Sequence, residues 1–184
     1  MSVTVTSLTQ GPATLYYGAL DATEPLDSAV NATPAASAWT DLGGTVDGAK
    51  LVIKQNYSMM KVDQLVDIPG SRLDTREITV ETQMAEPTIV NLSLALNGGT
   101  ITTGAGFSSA FEPIDSDAAT QPTYKALILH GWWGTARRMV ILRKVLSVEG
   151  AESEYKKDGQ TVLKVKIQAF YKSASIRPFR VIDA

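Results

Sequence analysis

Cysteine is absent from the 184 residues. That excludes a disulfide framework and any thiolate metal site. Histidine occurs once, at His130, and one histidine without cysteine cannot assemble a usual zinc centre. A nucleophilic triad built on His130 would need a serine and an acid brought to it in space. No serine stands in a Gly-x-Ser-x-Gly elbow. Long apolar runs are lacking too. The run 126–129 falls far short of the ~18 residues that a membrane span requires. The first residues lack a basic stretch followed by an apolar one, so no signal peptide is expected. Excess charge is also missing: 17 basic against 19 acidic side chains leave a net charge of −2. A sequence-reading nucleic-acid binder is normally basic, so the balance fits a soluble intracellular protein instead. No cofactor is implied.

Alternation of apolar and polar residues dominates what remains. The segment 50–58 reads as a strand, with Leu51, Ile53 and Tyr57 on one face and Lys50, Lys54, Asn56 and Ser58 on the other, beside Val52. Its partner, 74–84, alternates more strictly. Ile78, Val80, Thr82 and Met84 point one way; Thr75, Glu77, Thr79, Glu81 and Gln83 point the other. Such a polar row is either the wet side of an antiparallel sheet or the lining of a channel. Between the two strands a loop is expected over 59–73, although a hairpin needs only about two to five linking residues. It holds Met59, Met60, Val62, Leu65, Val66, Ile68 and Leu73. That content is too apolar for free solvent, so the loop should be buried against its own chain or another copy.

A helix is expected over 88–96. Pro87 stands near its first turn, where a missing N–H costs least. Ile89, Leu92 and Leu96 form its stripe, and Asn97-Gly98-Gly99 supplies a left-handed exit. Further strands are expected at 3–8, 14–18 and 124–129, at 137–148 (the longest), and at 160–172 after an Asp158-Gly159 hairpin turn. A last apolar piece spans 179–182. The segments 19–38 and 100–123 read as surface loops. Gly43-Gly44 precedes a strand rather than a helix, which argues against a phosphate cradle. Asp115 and Asp117 lack the other spaced oxygen ligands of a calcium loop. Trp132 and Trp133 could stack on a sugar or base, but adjacent residues of an extended segment face opposite ways. The residues alone therefore give one mostly β, antiparallel domain over 1–184, with an N-terminal arm, one helix, a long apolar loop and no catalytic constellation.

The order of these features resembles the major tail tube proteins of long-tailed, non-contractile bacteriophages. Trp39-Thr-Asp-Leu-Gly-Gly-Thr-Val-Asp-Gly48 is similar to the stretch before their first long strand. Val62-Asp-Gln64, Arg72, Ile78-Thr-Val-Glu81-Thr and Ala85-Glu86-Pro-Thr-Ile-Val-Asn-Leu92 resemble their passage from strand to helix. The likeness covers 13–99 by motif and the later strands by pattern. It implies an antiparallel β-sandwich or partial barrel with one flanking α-helix. It implies a structural, non-enzymatic subunit that forms stacked hexameric rings, the channel for genome delivery. Partners would be other copies, the tape measure, tail terminator and distal tail proteins, and double-stranded DNA passing without sequence preference. The place would be the virion tail, assembled in the host cytoplasm, with no membrane. The resemblance makes Thr75, Glu77, Thr79, Glu81 and Gln83 the lumen-facing candidates and gives the 59–73 loop to ring stacking. One departure stands out. The family's lumen tends to be acidic, whereas Lys50, Lys54, Lys164 and Lys166 occupy the polar faces here. Either these lysines pair with the glutamates across strands, or some faces lie away from the bore. A monomeric β-sandwich module binding carbohydrate or protein through Trp132 and Trp133 is the alternative, and a hydrolase using His130 a third reading.

Overall fold

The computed structural model describes residues 11–133, 136–155 and 157–184. The strand expected at 3–8 and the N-terminal arm lie outside them. The described strands are β1 (Ala13–Ala19), β2 (Trp39–Asp41), β3 (Thr45–Met60), β4 (Gly70–Met84), β5 (Thr100–Gly104), β6 (Phe107–Glu112), β7 (Lys125–Trp133), β8 (Ala136–Ser147), β9 (Glu152–Ser153), β10 (Leu163–Ala169) and β11 (Phe179–Asp183). Among the described residues one α-helix, α1 (Ile89–Ala95), follows β4. The fold is mostly β and antiparallel, as expected.

The main sheet runs β2-β1-β7-β8-β10-β4-β3. Strand β8 joins its two halves. Its first part pairs with β11 from Arg138 to Leu142. Its end pairs with β10 from Val145 to Ser147. The change of partner coincides with a bulge, because Lys125 faces Val145 while Leu127 faces Leu142. An extra residue there bends the strand. Leu15 and Leu127 from one half then share a core with Ile78, Val80, Met84, Leu163, Val165 and Ile167 from the other. A sheet curled over one core in this way is compatible with a sandwich or partial barrel. On its outer side Tyr16, Ile128, Met139 and Ile141 pack with Val30 and Trp39. The segment 20–38 is therefore a cover over the sheet, not a free loop. Trp39 Nε1 donates to the Thr23 carbonyl at 2.9 Å, and Arg143 holds Glu24 with both ends of its guanidinium at 2.5 and 2.9 Å.

Several expectations meet a different structure. Met59, Met60 and Leu73 belong to strands, so the loop of 59–73 shrinks to residues 61–69. The loop and the strand ends flanking it are exposed, so of the two covers considered for them the described part of their own chain supplies none. The segment 100–123 is not featureless, since β5 and β6 form a small hairpin beside α1. Its turn contains Gly106 at φ 95°, a left-handed position that glycine takes without strain. Strand β8 is outranked in length by β3 and β4. Finally, Asp158-Gly159 does not close a tight hairpin. Strand β9 intervenes and pairs Ser153 with Leu163, and Tyr171 lies beyond β10 and is exposed.

The helix agrees closely with its sequence signals. Thr88 caps it by accepting from the Asn91 N–H at 3.2 Å. At the other end Asn97 sits at φ 60°. The Gly98 N–H donates to Ser93 O at 2.9 Å and the Asn97 N–H to Leu94 O at 3.1 Å, the pair of bonds that closes a Schellman exit. The Asn97 side chain then grips β8. Its Nδ2 donates to Ser147 O at 2.8 Å, and the Ser147 N–H donates to Oδ1 at 2.7 Å. One residue thus ends the helix and fastens it to the sheet. Asn97→Gly should keep the left-handed turn and lose both bonds. Asn97→Ala should lose both and add roughly 1–2 kcal/mol of backbone strain. Urea unfolding should rank wild type above Asn97→Gly above Asn97→Ala, with the first step about 1–3 kcal/mol. Equal midpoints for all three proteins would refute this role for Asn97.

Candidate assembly surfaces

Thr75, Glu77, Thr79, Glu81 and Gln83 all face one side of β4, while Ile78, Val80, Thr82 and Met84 are buried on the other. Register extends the polar row sideways. Glu81 lies between Lys50 of β3 and Lys166 of β10, Glu77 lies opposite Lys54, and Gln83 is flanked by Lys164. Lys50 Nζ is 3.2 Å from Glu81, and Lys166 Nζ is 3.9 Å from it. Lys166 also donates to Glu149, and Lys164 Nζ is 3.6 Å from Glu152. Gln83 Nε2 donates to Asp47 at 3.3 Å, and Asn56 Nδ2 donates to Thr75 Oγ1 at 2.9 Å. The bond to Glu149 raises the Lys166 pKa, and Glu81 and Glu77 add to it. Lys50, Lys164 and Lys166 do pair with carboxylates across strands, while Lys54 faces Glu77 in register without an ion pair among the described residues. Glu77, Glu81, Glu149 and Glu152 stand among Lys50, Lys54, Lys164 and Lys166, so those eight charges cancel. Exposed pairs of this kind give only about 0–1 kcal/mol each. Their main effect is on the field of the surface, not on folding.

The second surface is the hairpin beyond the sheet. Strand β10 covers β4 only from Ile78 to Met84. From Glu77 outward, β3 and β4 form a two-stranded ribbon with register pairs down to Met60 and Gly70. Met59, Met60, Leu65 and Ile68 are more than half exposed, Val66 is fully exposed, and Val62 and Leu73 are only slightly less open. Tyr57 and Ile53, which sequence alternation placed on one face with Leu51, are exposed as well. An isolated ribbon is marginal in water. The seven stacking candidates are therefore brought together on one arm that no other described residues cover.

The other candidate chemistry resolves into structure. His130 is buried, and its Nε2 donates to the Val30 carbonyl at 2.8 Å. A carbonyl only accepts, so the hydrogen sits on Nε2. The Tyr16 ring lies 6.4 Å away. Trp132 and Trp133 each carry a guanidinium, Arg137 at 5.7 Å and Arg138 at 5.8 Å from the ring centres. Asp117 Oδ1 accepts from the Ala119 N–H and shapes a turn. Among the described residues no cluster of three or more histidine or acidic side chains is placed to hold a metal, and no helix is long and apolar enough to cross a membrane.

No known family model matches the chain, and no curated protein sequence is significantly similar to it.

Burial pushes the His130 pKa below its ordinary 6.5; the bond to Val30 works against that, and Arg137 adds to the lowering. The folded protein therefore keeps His130 neutral at a pH where the unfolded chain has already bound a proton. Stability from this residue is complete above about pH 6.5, falls as pH drops through that value, and levels below the folded pKa. Glu24 is lowered chiefly by its bond from Arg143, and its contribution is lost only below its ordinary value of 4.5. The urea midpoint should fall between about pH 7.5 and 5.5 in the wild type. In His130→Gln that slope should vanish while the acid loss near Glu24 remains. An unchanged slope in His130→Gln would contradict the assignment.

Proposed function

We propose that the chain is the structural subunit of a phage tail tube, assembling into stacked hexameric rings that form the channel for genome delivery. The observation that supports this reading most is the ribbon of β3 and β4 that continues past β10 with seven apolar side chains in solvent. Burying a large apolar side chain is worth roughly 1.5–3 kcal/mol. Association costs about 4–15 kcal/mol. An interface that takes up only one or two of these side chains would not hold, so they point to one that covers most of the arm at once. In this reading the arm bridges rings, and α1 and its hairpin flank the sheet.

The polar face of β3, β4 and β10 then lines the bore. Duplex DNA carries one negative charge per about 1.7 Å of axis, and unpaired lysines would bind it by releasing counterions. Glu81 and Glu149 occupy Lys166, and Glu81 also occupies Lys50. A wall of cancelled charge neither holds the duplex nor repels it strongly. Partners are further copies, the tape measure, tail terminator and distal tail proteins, and DNA in passage; the site is the virion tail, built in the host cytoplasm. No step is chemical, and no cofactor takes part.

Two outcomes test this. Replacing 59–71 with Asn-Gly joins the register pair Ser58 and Arg72 by a tight turn. The product should fold as a monomer and fail to form tubes; normal tubes would end the arm's role. Glu77→Lys with Glu81→Lys should leave the monomer folded and lower its stability by about 1–2 kcal/mol, from lost pairs and like charges set opposite one another. DNA delivery should slow, and high salt should relieve the defect. Wild-type delivery by that variant would remove this face from the bore.

A further inference from the structure

We infer that the cleft between the base of the arm and the C-terminal segment receives the arm tip of a second copy of this chain. The inference rests on the tube reading and names the acceptor that the arm requires. The cleft encloses about 670 Å³ between Arg76 on β4 and residues 175–181. It opens where the sheet loses its cover, because Arg76 lies two residues outside the last β10 pair, Ala169 with Ile78. Cations crowd it. Arg143, Lys172 and Arg180 are paired with Glu24, Asp21 and Asp27. Arg76 and Arg177 make no ion pair among the described residues. Half-exposed Ile176 and Val181 supply apolar surface beside them.

The arm tip, residues 61–69, carries Asp63 and Asp67 against one cation, Lys61, so its net charge is −1 and opposite in sign to the cleft. Asp63 and Asp67 make no ion pair among the described residues, and Leu65, Val66 and Ile68 stand exposed around them. Two unpaired carboxylates thus match two unpaired guanidiniums, whose forked donors suit carboxylate geometry. The occupant cannot be the chain's own tip. The ribbon runs extended from Arg76 to Gly70. At about 3.3 Å per residue its end stands roughly 20 Å from the cleft. A tip-to-cleft contact joins two different patches. Such a heterologous interface propagates rather than stopping at a dimer, which gives a stack a direction.

Charge exchange in the full chain tests it by sedimentation velocity. Asp63→Lys with Asp67→Lys, and separately Arg76→Glu with Arg177→Glu, should each raise the concentration needed for assembly about tenfold or more. Circular dichroism should show both folded. Mixed in equal amounts, the two variants should assemble again, because each lysine tip then meets a glutamate cleft. If both variants assemble as the wild type does, or if the mixture stays dissociated, the cleft is not the acceptor. The Asn-Gly arm replacement separates the two levels. If it abolishes assembly while the mixture stays dissociated, the arm keeps its role and docks elsewhere. If it assembles normally, the arm reading itself fails.

Discussion

Strand β10 pairs with β4 from Met84 to Ile78 and goes no further. That limit divides one long hairpin into two parts with different physics. Over 78–84 the inward side chains are sealed between β10, α1 and the opposite half of the sheet, and Val80 and Met84 have no exposure. Outward of Ile78 the same two strands have, among the described residues, neither a further strand nor a core beneath them. The first part needs nothing beyond the chain. The second exposes apolar surface that a soluble monomer rarely carries in one place. The arm, the cleft at its base and the paired polar face all take their position from that single end point.

The polar face shows how register writes electrostatics. Strict alternation places Glu77 and Glu81 outward, and antiparallel pairing sets Lys54 and Lys50 opposite them. A one-residue slip would move every lysine into the core side. Burial of Ile78 and Val80 forbids the slip, so the apolar core fixes the charge pattern on the wet side. On this polar face the glutamates and lysines therefore stand in balance, each sign set opposite the other by the register.

Alternation made the inner half of the hairpin legible. Ile78, Val80 and Met84 were readable as buried and Thr75 to Gln83 as wet, because a strand has a period of two and nothing else on β4 competes. Helix α1 was legible through Pro87, the stripe of Ile89, Leu92 and Leu96, and Asn97, whose signals are local; the Thr88 cap became visible only in the structure. The extent of the ribbon was not. Met59, Met60 and Leu73 look like loop residues because no neighbouring strand is visible in the sequence, and a ribbon without a core beneath it keeps no apolar face. The hairpin of β5 and β6 was hidden for a related reason: its side chains are mostly exposed, so alternation carries no signal, and only Gly104-Ala-Gly106 hinted at a turn. The role of residues 20–38 depended on Val30 and Trp39 meeting over a distant sheet face, a contact that local pattern does not encode. Arg76 and Arg177 lie a hundred positions apart and became neighbours only through the fold.

Helical reconstruction from electron micrographs of the concentrated, full-length chain tests the tube reading most directly. The reading requires a hollow tube of six-fold rings, with Glu77, Glu81, Lys50 and Lys166 on the bore and the ribbon of β3 and β4 reaching from one ring into the next. A tube with those residues on its outside, or a chain that remains a monomer at the highest soluble concentration, would contradict it.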